Sequence, residues 1–125
     1  MSKYGWKGSV VMSDCLFCKI INKEIPSQVV YENEAVLIFK DNNPAAPTHW
    51  LAVPKKHVDN VGDSRLIEGA ILQSLFTAIQ HVTKEKGLTG NGFRIVVNYG
   101  EDAGETIHHL HVHLLAGRKL DWPPG

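Results

Sequence analysis

The stretch His108-His109-Leu110-His111-Val112-His113-Leu114-Leu115 holds four of the chain's seven histidines. Its reading depends on the backbone that carries it. On a helix, residues two apart point in different directions, so His109, His111 and His113 could not act together. On a strand, side chains alternate faces, which puts these three imidazoles on one face at a repeat of roughly 6.5 Å. Leu110, Val112 and Leu114 then take the other face and anchor the strand. The alternation predicts a strand over 108–116 with a polar working surface backed by a buried one. His108 falls on the opposite parity and stands apart from the trio.

Working outward, "FRIVVN" over 93–98 reads as the neighbouring strand, and "YGEDAG" as the loop between the two. Further upstream, β-rich runs at 28–31 and 35–40 flank the turn-forming "ENE" and predict a hairpin. Trp50 to Val53 forms another strand between "NNPAAPTH" and Pro54. Cys15 to Ile21 suits a short helix stopped by Pro26. A long helix is expected from a cap at Asp63 or Ser64 to about Lys86, with Gly87 at the left-handed end position. Its apolar stripe is Leu66, Ile67, Ala70, Ile71, Leu75, Ala78, Ile79 and Val82, at a period of 3.6. Leu72 and Phe76 lie off that stripe, as part of either a wide core face or a patch for a second subunit. The order β-β-β-α-β-β with short connections predicts α+β: a mainly antiparallel five-stranded sheet with one long and one short helix. Residues 1–13 read as a flexible extension ahead of one domain over 14–125.

At 125 residues the chain can bury a proper core. Its 13 basic and 13 acidic residues cancel, and no Lys/Arg block exceeds Lys55-Lys56. A broad nucleic-acid-binding face is thereby disfavoured, and no apolar run reaches the length of a membrane span. The two cysteines form a C-x-x-C too closely spaced to staple a fold, which suggests a reducing, cytoplasmic setting with thiols free or given to a metal. A thioredoxin-like role would need a preceding strand, which "MSDCLFCKI" lacks.

Three in-phase histidines suit two chemistries. They could form a zinc tripod with an open position for water. Alternatively, a neutral imidazole can attack phosphorus and form a covalent intermediate that water later breaks. Phosphoryl chemistry also needs donors aimed at the non-bridging oxygens, and Asn98, Thr106, His49 and His113 are candidates. Spacing alone leaves both open.

The run from His109 to Leu115 matches the H-φ-H-φ-H-φ-φ signature, φ being apolar, of the histidine triad (HIT) superfamily. The chain most resembles its Hint branch, the purine nucleoside phosphoramidases, with "FCKIINKEIP", "APTHWLAVPKKH", "GFRIVVNYG" and "AGRKLDWPPG" in matching order. The resemblance implies a homodimer with joined sheets, acting on purine nucleoside monophosphates or phosphoramidates, with no cofactor required for catalysis. It assigns His111 as nucleophile, His113 to the phosphate oxygens, His109 to support, and His49 as a fourth histidine lining the site. Asp41 would bind the ribose hydroxyls; Phe17, Ile20 and Phe39 would wall the purine; Asn98 and Thr106 would lie near the phosphate and leaving group. Without the resemblance, Phe17, Ile20 and Phe39 read as core, and Asp41 as the cap of the "DNNP" turn.

Some positions depart from the branch. Glu105 stands where Gln is common, and a carboxylate near a phosphate would repel it unless turned away or paired. Asn42 occupies a usually apolar position beside the base, and Ala116 replaces a usual Gly. Relatives with a matching C-x-x-C hold a structural zinc, which would assign Cys15, Cys18, His49 and His109 as its ligands, against the alternative of two free thiols. His57 and His81 read as surface residues. A zinc-dependent hydrolase using the histidines as ligands, and a nucleotide-binding module with little turnover, stand as alternative functions.

Overall fold

Short strands, with β-rich central runs buried on both faces, build one antiparallel sheet in a computed structural model that describes residues 14–125. The extension expected over 1–13 lies outside the described residues. The strands are β1 (Val29–Glu32), β2 (Val36–Lys40), β3 (Thr48–Pro54), β4 (Arg94–Val96) and β5 (Val112–Ala116). They lie in the order β1-β2-β3-β5-β4, every neighbouring pair antiparallel. Two helices, α1 (Leu16–Ile21) and α2 (Ile71–Glu85), complete the expected α+β architecture. The β1–β2 turn closes on Asn33, whose side-chain oxygen accepts from the N–H groups of Ala35 and Val36 at 2.9 Å each.

Each face of the sheet packs its own cluster. On one, Val36, Ile38, Trp50, Ala52, Leu110, Val112 and Leu114 meet Leu75, Ala78, Ile79 and Val82 of α2. On the other, Leu37, Phe39, Leu51 and Val53 meet Cys15, Phe17, Cys18 and Ile20. The alternation read around the histidines therefore holds: Leu110, Val112 and Leu114 are all at most 3% exposed. The ladder of β5 starts only at Val112, so the expected strand over 108–116 is shorter at its start. Before it, Leu110 N–H still bonds the carbonyl of Val58 at 2.7 Å, which keeps the approach to β5 in place.

The long helix expected from 64 to 86 is instead broken. Ser64–Ile67 forms a 3₁₀ turn capped by Asp63, Glu68 is extended (φ −89°, ψ 139°), and Gly69 is left-handed with φ 64°. A helix cannot pass through a left-handed residue, so the stripe restarts at Ile71, and Ile67 is left 88% exposed. Periodicity spans the gap by coincidence; Gly69 was the readable signal of a break. The far end meets expectation: Gly87 at φ 73° closes α2, with Gly87 N–H to Lys84 O and Leu88 N–H to Thr83 O. Helix α1 ends before Pro26, at Asn22, where Lys23 turns left-handed.

Gly117 follows β5 at φ 97°, and a Cβ there would meet the Pro47 side chain at 2.8 Å. Both the backbone and the space exclude a side chain. Gly117→Ala should lower unfolding stability by roughly 1–3 kcal/mol, read as a lower denaturation midpoint at unchanged slope.

Candidate functional site

Sheet register brings the site together. Phe39 pairs with Leu51, Leu51 with His113, and His49 lies two residues along β3 from Leu51. Asp41 is fixed beside His49 because its N–H donates to the His49 carbonyl at 3.0 Å. Together with α1 these elements enclose a cavity of about 260 Å³ lined by Phe17, Ile20, Phe39, Asp41, Asn42, Thr106, His111 and His113 among others. Phe17, Ile20 and Phe39 are thus both core and wall. Asp41 likewise fills two roles: Oδ1 accepts from Asn43 N–H at 2.8 Å as a turn cap, while Oδ2 lies 3.4 Å from His49 Nε2.

The hydrogen bonds fix which nitrogen of each histidine carries the proton. His111 Nδ1 donates to the His109 carbonyl at 2.8 Å, which leaves the Nε2 lone pair free. Phe17 packs its ring edgewise on His111 with centroids 5.1 Å apart and restrains its tilt. His49 Nδ1 accepts from Ala45 N–H at 3.0 Å, so its proton sits on Nε2 and is donated to His113 Nδ1 at 2.9 Å. His113 must then hold its own proton on Nε2. One ring offers a lone pair, and its neighbour a donor.

Both rings are held neutral. Burial pushes the His111 imidazole below its ordinary range, against the bond to the His109 carbonyl and the charge of Glu105. Burial, with the adjoining His111 and His49 rings, pushes His113 down to about 4. A buried imidazolium is poorly solvated, and a second protonated ring beside it would be repelled.

His109 belongs to a different cluster. Its Nε2 donates to the Pro54 carbonyl at 2.8 Å, and its Nδ1 faces Cys15 Sγ at 3.4 Å and Cys18 Sγ at 3.5 Å. The fourth member is His57: Nδ1 lies 3.3 Å from Cys18 Sγ, and Nε2 donates to Asp59 at 2.8 Å. This corrects two expectations. His57 is buried rather than on the surface, at 4% exposure. His49, expected among the metal ligands, bonds to His113 instead, because it sits on β3 at the cavity end while His57 follows the far end of that strand. The loop after Pro54 turns back under α1, and nothing local in "PKKHVD" announces that; the His-x-Asp spacing of His57 and Asp59 was the one faint signal.

Cys15, Cys18, His57 and His109 place one donor atom each within 4.8 Å of one another, all buried. The set fits a tetrahedral zinc, for which bond lengths give sulfur-to-nitrogen spacings of roughly 3.6 Å. Each imidazole also has its remote nitrogen fixed by an acceptor, the usual support of a ligating histidine. Burial pushes the Cys15 thiol up, but bonds from His109 and His57 outweigh it and hold it down to about 5. Burial and the Cys15 charge push Cys18 up to about 12. Without a cation the pocket tolerates one thiolate, and a divalent ion would stabilise the second. Among the described residues, the other metal-capable group is Asp41, His49 and His113. The three in-phase histidines are therefore divided between two places and do not form a tripod.

Two further expected site residues are placed differently. Asn98 is half-buried but does not line the cavity. Glu105 has its side chain only 3% exposed and directs it to the Gly100 N–H, at 2.9 Å, and to His108, at 3.7 Å.

Against known families, residues 22–120 match the HIT domain. The chain belongs to the HIT family. Its relatives include a HIT-like protein of Synechococcus elongatus, 43% identical over 112 residues, covering 90% of this chain and 97% of that one. A protein of Zea mays named as a 14 kDa zinc-binding protein is 48% identical over 117 residues, with 90% and 89% covered. Among solved HIT structures, a HIT family hydrolase from Legionella pneumophila superposes with a TM-score of 0.85 at 40% identity, over 90% of this chain and all of that one. A histidine triad protein from Clostridium difficile gives 0.82 at 50% identity, over 86% and 94%. The HIT signature thus coincides with the face where His111 and His113 line the cavity.

Neutral His113 has a consequence for stability. As pH falls below about 6.5, the unfolded chain takes up a proton that folded His113 refuses, so this group's contribution to stability declines down to about pH 4 and then levels. Histidine ring NMR should show one cavity imidazole titrating near that value; titration near 6.5 would contradict the arrangement.

Proposed function

We propose that this chain hydrolyses the phosphorus–nitrogen bond of purine nucleoside 5′-phosphoramidates through a covalent nucleotidyl intermediate on His111. The observation that carries the reading is the bond from His111 Nδ1 to the His109 carbonyl, which aims an unprotonated Nε2 at the cavity. That lone pair attacks phosphorus, and the P–N electron pair departs on the amine, which takes a proton from the solvent-fed cavity. Water then attacks the same phosphorus, the pair returns to Nε2, and the water's extra proton is released, leaving the nucleoside monophosphate. His113, held neutral, donates Nε2–H to a non-bridging oxygen rather than serving as the proton source. Thr106 offers a hydroxyl at the cavity wall, Asp41 faces the ribose hydroxyls, and Phe17, Ile20 and Phe39 hold the base.

The hydrolase name of the Legionella relative supports the reaction class, and the division of the histidines speaks against a zinc hydrolase built on all three. The zinc-binding name of the maize relative supports a structural zinc at Cys15, Cys18, His57 and His109, with no part in the chemical step. A homodimer fits the exposed apolar side chains of Leu72 and Phe76, at 47% and 45%, together with β4 at an edge of the sheet. No described helix is long and apolar enough to cross a membrane.

His111→Ala should lower phosphoramidate turnover by about 10⁴-fold or more while adenosine 5′-monophosphate still binds, and mass spectrometry of quenched wild type should trap a nucleotidyl-histidine. Retained turnover would remove His111 from the role. Metal analysis of purified variants separates the two histidines: His57→Ala should lose its zinc, whereas His49→Ala should keep it.

A further inference from the structure

Glu105 carries a buried charge one residue before the cavity wall, yet its carboxylate is directed away from the cavity. Oε1 accepts the Gly100 N–H at 2.9 Å, and the Glu105 N–H donates to the Gly100 carbonyl at 3.1 Å. These reciprocal bonds close residues 100–105 into a ring. The turn inside it requires positive φ at Gly100, 89°, and at Gly104, 82°. Oε2 faces His108 Nδ1 at 3.7 Å, which sets the same carboxylate beside the residue that leads into the histidine run. On the far side, Ile107 packs against the cluster of Leu51, Phe39 and Phe17. Thr106, which lines the cavity, is therefore held between two fixed neighbours.

We infer that Glu105 is a positioning residue: its carboxylate locks the 100–108 segment so that Thr106 meets the phosphoryl group in one geometry. The inference rests on the phosphoramidase reading for its chemistry, but the lock itself does not. Loss of a buried, charge-assisted hydrogen bond frees Thr106 to sample other positions, and misplacement of a group that contacts the reacting phosphate lowers the rate of the chemical step more than affinity. The amide of Gln can still accept from Gly100 N–H, whereas Ala cannot.

Amide hydrogen exchange, adenosine 5′-monophosphate binding and steady-state kinetics on Glu105→Ala and Glu105→Gln test this. Glu105→Ala should exchange the Gly100 amide at least about tenfold faster and lower kcat about tenfold or more with KM changed by less than about threefold. Glu105→Gln should restore both to within about threefold. In the Glu105→Ala background, adding Thr106→Val should cost much less than it does in wild type, because the two side chains act as one unit. Unchanged exchange at Gly100 in Glu105→Ala, additive costs with Thr106→Val, or a Glu105→Gln loss equal to that of Ala would each overturn the inference, the last by showing that charge rather than the hydrogen bond matters. An inactive wild type would instead strike at the phosphoramidase reading, and the exchange comparison would still judge the lock.

Discussion

The carbonyl oxygen of His109 accepts the Nδ1–H of His111 at 2.8 Å, while the ring of the same His109 is held between the Pro54 carbonyl and two cysteine sulfurs. One residue thus serves two sites at once, with its backbone on the cavity side and its side chain in the buried cluster. Moving it would disturb both. The ring is fully buried, and its position is set by β3 through Pro54 and by the start of α1 through Cys15 and Cys18. Phe17 completes the link, since it stands between those cysteines in sequence and packs edgewise on both His109 and His111. The short helix therefore ties the cysteine cluster to the cavity wall. A metal in that cluster would act on the proposed chemistry only through this scaffold.

Electrostatics in the cavity follows from the same packing. His49 and His111 crowd His113 at one end of a partly enclosed space, and both disfavour a proton on it. The roles of His111 and His113 are then distinguished by hydrogen bonding. Backbone groups do this: Ala45 N–H fixes His49, His49 fixes His113, and the His109 carbonyl fixes His111. The result is a lone pair on His111 next to a donor on His113, an arrangement suited to an anionic phosphoryl group that must be approached by a nucleophile and hydrogen-bonded at its oxygens.

Much of this was legible in the sequence where it depended on local periodicity. The period-two pattern at 109–114 pointed to His111 and His113 on one face and Leu110, Val112 and Leu114 in the opposite core, and the chain keeps that alternation along β5 and in the two residues that lead into it. The hairpin around Asn33 and the glycine end of α2 were equally readable from turn chemistry. The break in the long helix is hidden from periodicity, since Leu66 and Ile67 fit a stripe that Gly69 interrupts through its backbone rather than through its polarity.

What the sequence determined by itself is the face: which histidines look the same way, and that a hydrophobic layer backs them. Only the tertiary structure decided the company each one keeps. It brought His57 rather than His49 to the cysteines, turned Glu105 toward Gly100, left Asn98 outside the cavity lining, and selected the protonated nitrogen of each ring. The physical reason is the range of the interactions. Alternation is set by the dihedrals of adjacent residues, whereas the ligand set joins Cys15 and Cys18 to His57 and His109 across 39 to 94 positions, and the proton of His113 is placed by His49, 64 positions away; such groups meet only when register and chain path are complete.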